Sequence, residues 1–400
     1  MHRTSLENIL KYGVLAICIS SVAQWLRIPI GPTALWWALD ALMIWSMIRM
    51  RDGNRIPGML VLWIVVVVLS SLVGMQYCRD YWDWKMLVGN VFNYAICTAV
   101  FLAFSPVVLQ QVLSFLSKHF FKIFIALILF LSSDGIAKLM IPFSLLAIFY
   151  SALNQKMRRY VWAGLLITLI FGFDSRSDVL KYLFCMLIGL FSQRHDIIGY
   201  IRKFYWIFYF LPILLFILAA KGTFNVFNIE ESLAVSEINA SRINMADTRT
   251  ELYKDVISTS IDRGTVLLGN TPARGYYSNW VINVDDKSDK LGDIHYGERG
   301  STESGVLNVF LYFGIIGVLI YMLLFWNASY LGIFKSNNIY CPIIGLYVSF
   351  RFMVGWIEDF TRFDLNMFLL WVMIGICYSP YFREMTDENI EEWFEESIVR

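Results

Sequence analysis

Charge is what this 400-residue sequence has least of. Lys, Arg, Asp and Glu make up 16% of it, against about a quarter in an ordinary soluble domain. So little polar surface cannot cover a water-soluble protein of this length, which excludes the soluble enzyme classes. The charges also nearly cancel, with 33 basic residues against 32 acidic ones, so no field favours nucleic acid. Histidine is scarce: His2, His119, His195 and His295 are the full set. There is no H-E-x-x-H, no C-x-x-C, no P-loop and no G-x-S-x-G, and no metal or cofactor is expected. Asp285, Asp286, Asp289 and Asp293 lack EF-hand spacing and its glycine, and read as a solvated acidic turn. Of six cysteines, Cys18, Cys97, Cys185, Cys341 and Cys377 lie in apolar runs, and Cys78 has no neighbour to pair with. A disulfide scaffold is therefore excluded.

Apolar residues fill that gap, at 58% of the chain, with 16% aromatic. Twelve apolar runs predict helices near 12–26, 34–48, 58–77, 86–105, 120–133, 139–153, 161–173, 182–192, 204–220, 305–326, 339–357 and 366–382. The fold class is all-α, a polytopic integral membrane protein of about twelve transmembrane helices. The first run is not a cleavable signal, because further runs follow and no A-x-A site closes it. The four runs over 120–192 are short for a bilayer core that needs roughly 20 residues, and suit tilted pairs, broken helices or partly buried segments. With the N-terminus inside, fifteen Lys and Arg fall in inner segments and seven in short outer ones. The positive-inside rule then puts both termini in the cytoplasm.

Residues 222–304 break the pattern. This 83-residue stretch on the outer face carries thirteen acidic and eight basic residues, and is too long for a structureless connector. Thr248-Arg249-Thr250-Glu251 reads as a capping box. Leu252, Val256, Ile257 and Ile261 follow at helical spacing, and Gly264 and Gly269 are positioned to end that helix. Residues 1–221 thus form an N-terminal set of about nine spans, 222–304 a large partly helical outer loop, 305–382 three further spans, and 383–400 an acidic amphipathic inner tail.

A charge at membrane depth is expensive and faces a partner or a cavity. Arg176 sits at an outer helix end between Asp174 and Asp178, with Lys181 five residues on. Arg351 lies in the outer half of run 339–357, ahead of Glu358, Asp359, Arg362 and Asp364. Asp40 lies inside run 34–48. Local ion pairing accounts for either arginine, and an interhelical hydrogen bond for Asp40. If the cations share an outward cavity, they suit an anionic lipid headgroup, since guanidinium binds phosphate oxygens bidentately.

The sharpest local feature is Gly300-Ser301-Thr302-Glu303-Ser304-Gly305, followed by Gly314-Ile315-Ile316-Gly317. It puts a carboxylate where the large loop meets the membrane. Glu303 reads either as a dipole-friendly helix cap or as a functional acid.

Taken together, Ser175-Arg176-Ser177 at the outer end of an early helix, Arg249 ahead of Leu268-Gly269-Asn270, and Glu303-Ser304 separated by nine residues (305–313) from Gly314-x-x-Gly317 resemble the O-antigen polymerase (Wzy-type) and O-antigen ligase superfamily. The motifs cover roughly 160–330. The resemblance implies a GT-C-like, metal-independent glycosyltransferase in the bacterial inner membrane with a periplasmic loop. Its donor and acceptor would be glycans linked to undecaprenyl pyrophosphate, and a chain-length regulator protein is an implied partner. Arg176 and Arg351 would neutralise the pyrophosphate, with Lys181 beside them, Arg249 and Arg274 would hold glycan or phosphate, and Glu303 or His295 would be the general base. Ligases carry His where Glu303 stands, which favours a polymerase. Tyr276, Tyr277, Trp280 and Tyr296 are candidates for stacking on sugar rings.

Overall fold

The computed structural model describes residues 3–25, 31–50, 56–127, 135–136, 140–171, 176–191, 196–221, 249–278, 294–295, 297–359 and 362–398. Helices dominate. The first half contains α1 (Arg3–Trp25), α2 (Thr33–Arg49), α3 (Gly58–Gly74), α4 (Tyr81–Ala95), α5 (Pro106–Leu127), α6 (Ile141–Ser144), α7 (Gln155–Phe171) and α8 (Arg176–Phe191). The second half contains α9 (Ile197–Phe204), α10 (Ile207–Ala220), α11 (Arg249–Asp262), α12 (Gly305–Phe334), α13 (Tyr340–Val354), α14 (Leu365–Tyr378), α15 (Pro380–Glu384) and α16 (Asp387–Ile398). Every apolar run falls at least partly on helical backbone. The run at 139–153 becomes the short α6 continued by a 3-10 segment over Leu145–Ala152. The described part of the run at 120–133 is the end of a longer helix, Pro106–Leu127.

Among the described residues, Gly58–Tyr77, Tyr81–Phe104, Ile197–Ala220 and Gly305–Phe334 are long and apolar enough to cross a membrane. Val179–Phe191, Tyr340–Val354 and Leu365–Tyr378 are apolar but shorter. Their outward faces stay apolar, as with Leu62, Val65, Leu69 and Leu72 of α3, all exposed. Water would not tolerate such a surface, and a bilayer requires it.

The core is centred on α12, α13 and α14. A 3-10 segment over Ile96–Phe104 continues α4, is buried at all nine residues, and lies along α14. Such a run exceeds the usual three or four residues. It coincides with a close contact, because a Cβ on Gly375 would lie 2.6 Å from the Val100 carbonyl. Asp40 is buried within α2, 9% exposed. At the end of the bundle opposite the 249–304 segment, α16 docks through Ile390, Trp393 and Phe394. Asp387 caps the Ile339 N–H at 2.7 Å, and Asn338 donates to Phe382 and Met385 carbonyls at 2.9 and 3.1 Å. The acidic tail is thus a packed helix with one solvated face.

The large segment adds a small sheet to the expected helix. Strands β1 (Tyr276–Tyr277), β2 (Ile294–His295) and β3 (Glu298–Arg299) run in the order β1-β3-β2, antiparallel, with Tyr276 opposite Arg299 and His295 opposite Glu298.

Candidate functional site at the loop–membrane junction

The junction begins at a helix start. Ser304 caps α12, and its hydroxyl lies 3.2 and 3.1 Å from the carbonyls of Gly355 and Trp356. Asn308 reaches back one turn. Its Oδ1 accepts the Thr302 N–H at 2.7 Å, and its Nδ2 donates to the Thr302 carbonyl at 3.1 Å. Gly305 and Val306 donate their N–H groups to Glu358 and Gly355 carbonyls at 3.0 and 2.9 Å. These partners satisfy first-turn N–H groups that a helix leaves open, and they bind the start of α12 to the end of α13.

Nine residues later α12 breaks. Gly314 has φ 65 and ψ −165, a conformation closed to a side chain. Backbone groups freed at such a break must find partners within the protein, and the turn over Val266–Asn270 supplies them. Asn270 N–H reaches the Leu311 carbonyl at 2.6 Å, and the N–H groups of Ile315 and Ile316 reach Val266 and Leu267 carbonyls at 3.0 and 3.2 Å. The fit is close. A Cβ on Gly314 would lie 2.3 Å from the Leu267 oxygen, and one on Gly269 (φ 80) would lie 2.4 Å from the Phe313 nitrogen. Asn90 of α4 holds the turn through the Pro272 carbonyl at 2.9 Å, and Ser70 of α3 holds the Tyr312 carbonyl at 3.1 Å.

A charged clasp closes the base of this turn. Arg263 donates to Glu298 Oε1 at 2.6 Å and to the Gly275 carbonyl at 2.8 Å, and lies 4.5 Å over the Tyr277 ring. Glu298 Oε2 accepts the Gly275 N–H at 3.0 Å. Arg274 stands 3.8 Å from the same carboxylate and 4.9 Å over the Tyr77 ring. One carboxylate therefore faces two guanidiniums. Arg299 pairs with Glu303 at 3.4 Å. Tyr276 is buried, and loss of solvent pushes its phenol up to about 12.

A second charged group lies under the start of α12. Lys181 of α8 is 2% exposed and donates to both oxygens of Glu358, at 2.9 and 2.8 Å. Arg351 is buried within electrostatic reach of Tyr347, Glu358 and Asp364. Asp364 caps α14 by accepting the Met367 N–H at 2.8 Å, and burial raises its carboxyl to about 6 despite Arg362 and Arg351.

Lys181, Arg351 and Glu358 are thus brought together, and Arg274 and Glu303 share the junction on the other side of Ser304. Glu303 is 57% exposed on its side chain, so it lacks the burial expected of a carboxylate base. Of the carboxylates nearby, Glu298 and Asp255 are buried and Glu358 is partly buried, 18% exposed on its side chain. The backbone places Arg176 at the start of α8, Arg249 at the start of α11 and His295 on β2, but their side chains lie outside the described residues. Trp280, Tyr296, Thr248, Ser175, Asp174 and the aspartates at 285, 286, 289 and 293 lie outside the described residues as well. Of the aromatic candidates, Tyr277 is exposed and Tyr276 is not. Arg263, Glu298, Arg299 and Tyr77 did not stand out in the sequence, because their pairing depends on how the turn folds back and no local spacing announces it.

Comparisons of the chain with protein-family models, with curated proteins and with solved structures give no match. Fold and composition define its class as a largely helical protein with several helices fit to cross a membrane.

Proposed function

We propose that this protein polymerises lipid-linked oligosaccharide repeats of O-antigen or a related surface polysaccharide, moving the growing glycan from undecaprenyl pyrophosphate to the non-reducing end of a new lipid-linked repeat. The observation that carries this reading is the junction itself. A loop turn is locked into a break in α12, and at its rim Glu298 stands against both Arg263 and Arg274. The charge left over suits a phosphate oxygen, and Arg274, 24% exposed on its side chain, is accessible to one. The bond to the leaving pyrophosphate breaks as the acceptor oxygen attacks the sugar carbon, and the acceptor proton passes to a base. Cations aimed at the developing pyrophosphate charge lower that barrier. In this reading Arg176 and Arg274 take that role, supported by Arg351 and Lys181. Glu303, exposed in the free protein, acts as the base in this reading once a bound acceptor excludes water from it, with His295 on the neighbouring strand as the alternative.

The test is long-chain polysaccharide in cells and product length in liposomes supplied with lipid-linked repeats. Arg176→Ala, Arg274→Ala and Glu303→Gln should each abolish long chains while the protein still inserts. Wild-type chain lengths in all three would overturn the assignment. The O-antigen ligase alternative predicts finished chains stranded on the lipid carrier in such mutants, whereas a polymerase defect leaves single repeats. A transporter is the other reading, favoured by the broken α12, since discontinuous helices recur at transport sites. Repeat-unit movement without chain growth in the same liposomes would select it.

A further inference from the structure

We infer that Thr271 is a ligand-binding residue, and that with Asn270 and Arg274 it holds the two phosphates of a pyrophosphate group. The backbone gives the first reason. Thr271 has φ 67 and is the one non-glycine residue with a positive φ among the described residues. Glycine and asparagine enter that region readily, whereas a β-branched residue enters it only under strain. Strain of this kind collects at ligand clamps, where the surrounding structure enforces it. Here the strained position carries a hydroxyl that glycine would lack.

Hydrogen bonding gives the second reason. Thr271 is 6% exposed and Asn270 2%. The Thr271 hydroxyl and the Asn270 Nδ2 have no partner. Among the described residues, nothing accepts the Thr271 N–H either. Buried donors are rarely left open in this way. Asn270 is otherwise fixed, because its Oδ1 accepts the Thr265 hydroxyl at 2.6 Å. That bond leaves Nδ2 as the open end of the amide.

Arg274 supplies the charge. Its N–H donates to the Thr271 carbonyl at 3.2 Å and closes a turn over Pro272 and Ala273, which keeps the two residues within about 7 Å. Both side chains lie along the end of α3. A Cβ on Gly74 would lie 3.2 Å from the Thr271 hydroxyl oxygen, and the Arg274 guanidinium stands over the Tyr77 ring. Gly74 and Tyr77 are three residues apart where α3 passes into a 3-10 turn, so they share a side. Every open group here is a donor, which selects an anion over a cation. Two donor sets at the two ends of one turn suit two linked phosphates. Arg274, the most exposed of the three residues, forms the entrance. The inference rests on the reading of Arg274 given above, and adds the groups that meet the second phosphate.

The experiment titrates sodium pyrophosphate into the full chain in neutral maltoside micelles and reads binding by calorimetry. Thr271→Val keeps the branched shape without the hydroxyl, and should weaken binding about tenfold or more. It should melt no lower than the parent without pyrophosphate, because the hydroxyl makes no bond within the protein. Asn270→Asp keeps the acceptor for Thr265 but puts a carboxylate oxygen at the open donor, and should weaken binding at least as much. Thr271→Ser restores the hydroxyl and should bind within about threefold of the parent. No binding by the parent, or equal binding by the parent, Thr271→Val and Asn270→Asp, overturns the subsite. Displacement by an equal concentration of phosphatidylglycerol overturns the choice of pyrophosphate, since that headgroup carries one phosphate. Chain growth is read separately in liposomes. Its absence would sink the polymerase reading and leave pyrophosphate binding standing, whereas chain growth with unaltered binding in Thr271→Val would sink the subsite alone.

Discussion

Asn270 donates its backbone N–H to the carbonyl of Leu311 at 2.6 Å, so a turn of the extramembrane segment completes the hydrogen bonding of a membrane helix. Gly314→Ala should therefore undo more than one residue's conformation. It would combine the penalty of about 1–3 kcal/mol for a backbone region essentially confined to glycine with a Cβ lying 2.3 Å from the Leu267 oxygen. The expected result is a large fall in melting temperature and new protease cuts within 264–275. Gly264→Ala is the control: φ is +66 but nothing lies within 4 Å of the added Cβ, so about 1–2 kcal/mol and no new cuts are expected.

The clasp gives a second expectation. Arg263 and Glu298 are 9% and 11% exposed on their side chains, and removing one partner of a buried pair costs about 3–5 kcal/mol. Glu298→Ala should accelerate hydrogen exchange at the Gly275 and Tyr276 amides. Arg263→Lys should not preserve protection, because one ammonium cannot reproduce the fork that spans Glu298 and the Gly275 carbonyl.

Much of this architecture is readable along the chain, and what is not readable has a physical reason. The runs at 58–77 and 305–326 declare themselves by unbroken apolarity, and α11 by its spacing and position. The two glycine motifs, Leu268-Gly269-Asn270 and Gly314-x-x-Gly317, each stand out alone. Their interlock does not, because it is made of backbone bonds between Val266–Asn270 and Leu311–Ile316, and backbone carries no residue signature. Lys181 and Glu358 belong to different helix ends, so composition marks both as costly without saying that they meet. Glu303 was legible as a junction carboxylate, while its exposure depended on the path of the 300–304 segment.

The Lys181–Glu358 pair is suited to a double-mutant cycle. Lys181→Met should destabilise by about 3–5 kcal/mol, because it leaves a largely buried carboxylate without its ammonium. Lys181→Met with Glu358→Gln should cost clearly less than the sum of the two single changes. Melting temperatures in one detergent give the coupling, and strict additivity would mean that the contact contributes nothing.

Asp364 should impose a pH dependence of a particular sign. Its carboxyl titrates near 6 in the fold and at about 3.9 in an unfolded chain. Between those values the folded chain holds a proton that the unfolded chain has released, so stability falls as pH rises from about 4 to about 6. Asparagine caps helices as well as aspartate does, and so keeps the bond to the Met367 N–H. Asp364→Asn should melt higher than the parent at pH 7.5, with the gap closing near pH 4. A gap independent of pH would show that Asp364 does not titrate in this window.

The break at Gly314 also limits how such proteins can be recombined. A chimera that exchanges the outer segment at the membrane boundary, near residues 222 and 304, would separate the Val266–Asn270 turn from the helix it completes. The exchangeable unit extends to Ile316 at least, and chimeras cut there should express where boundary-cut ones are degraded.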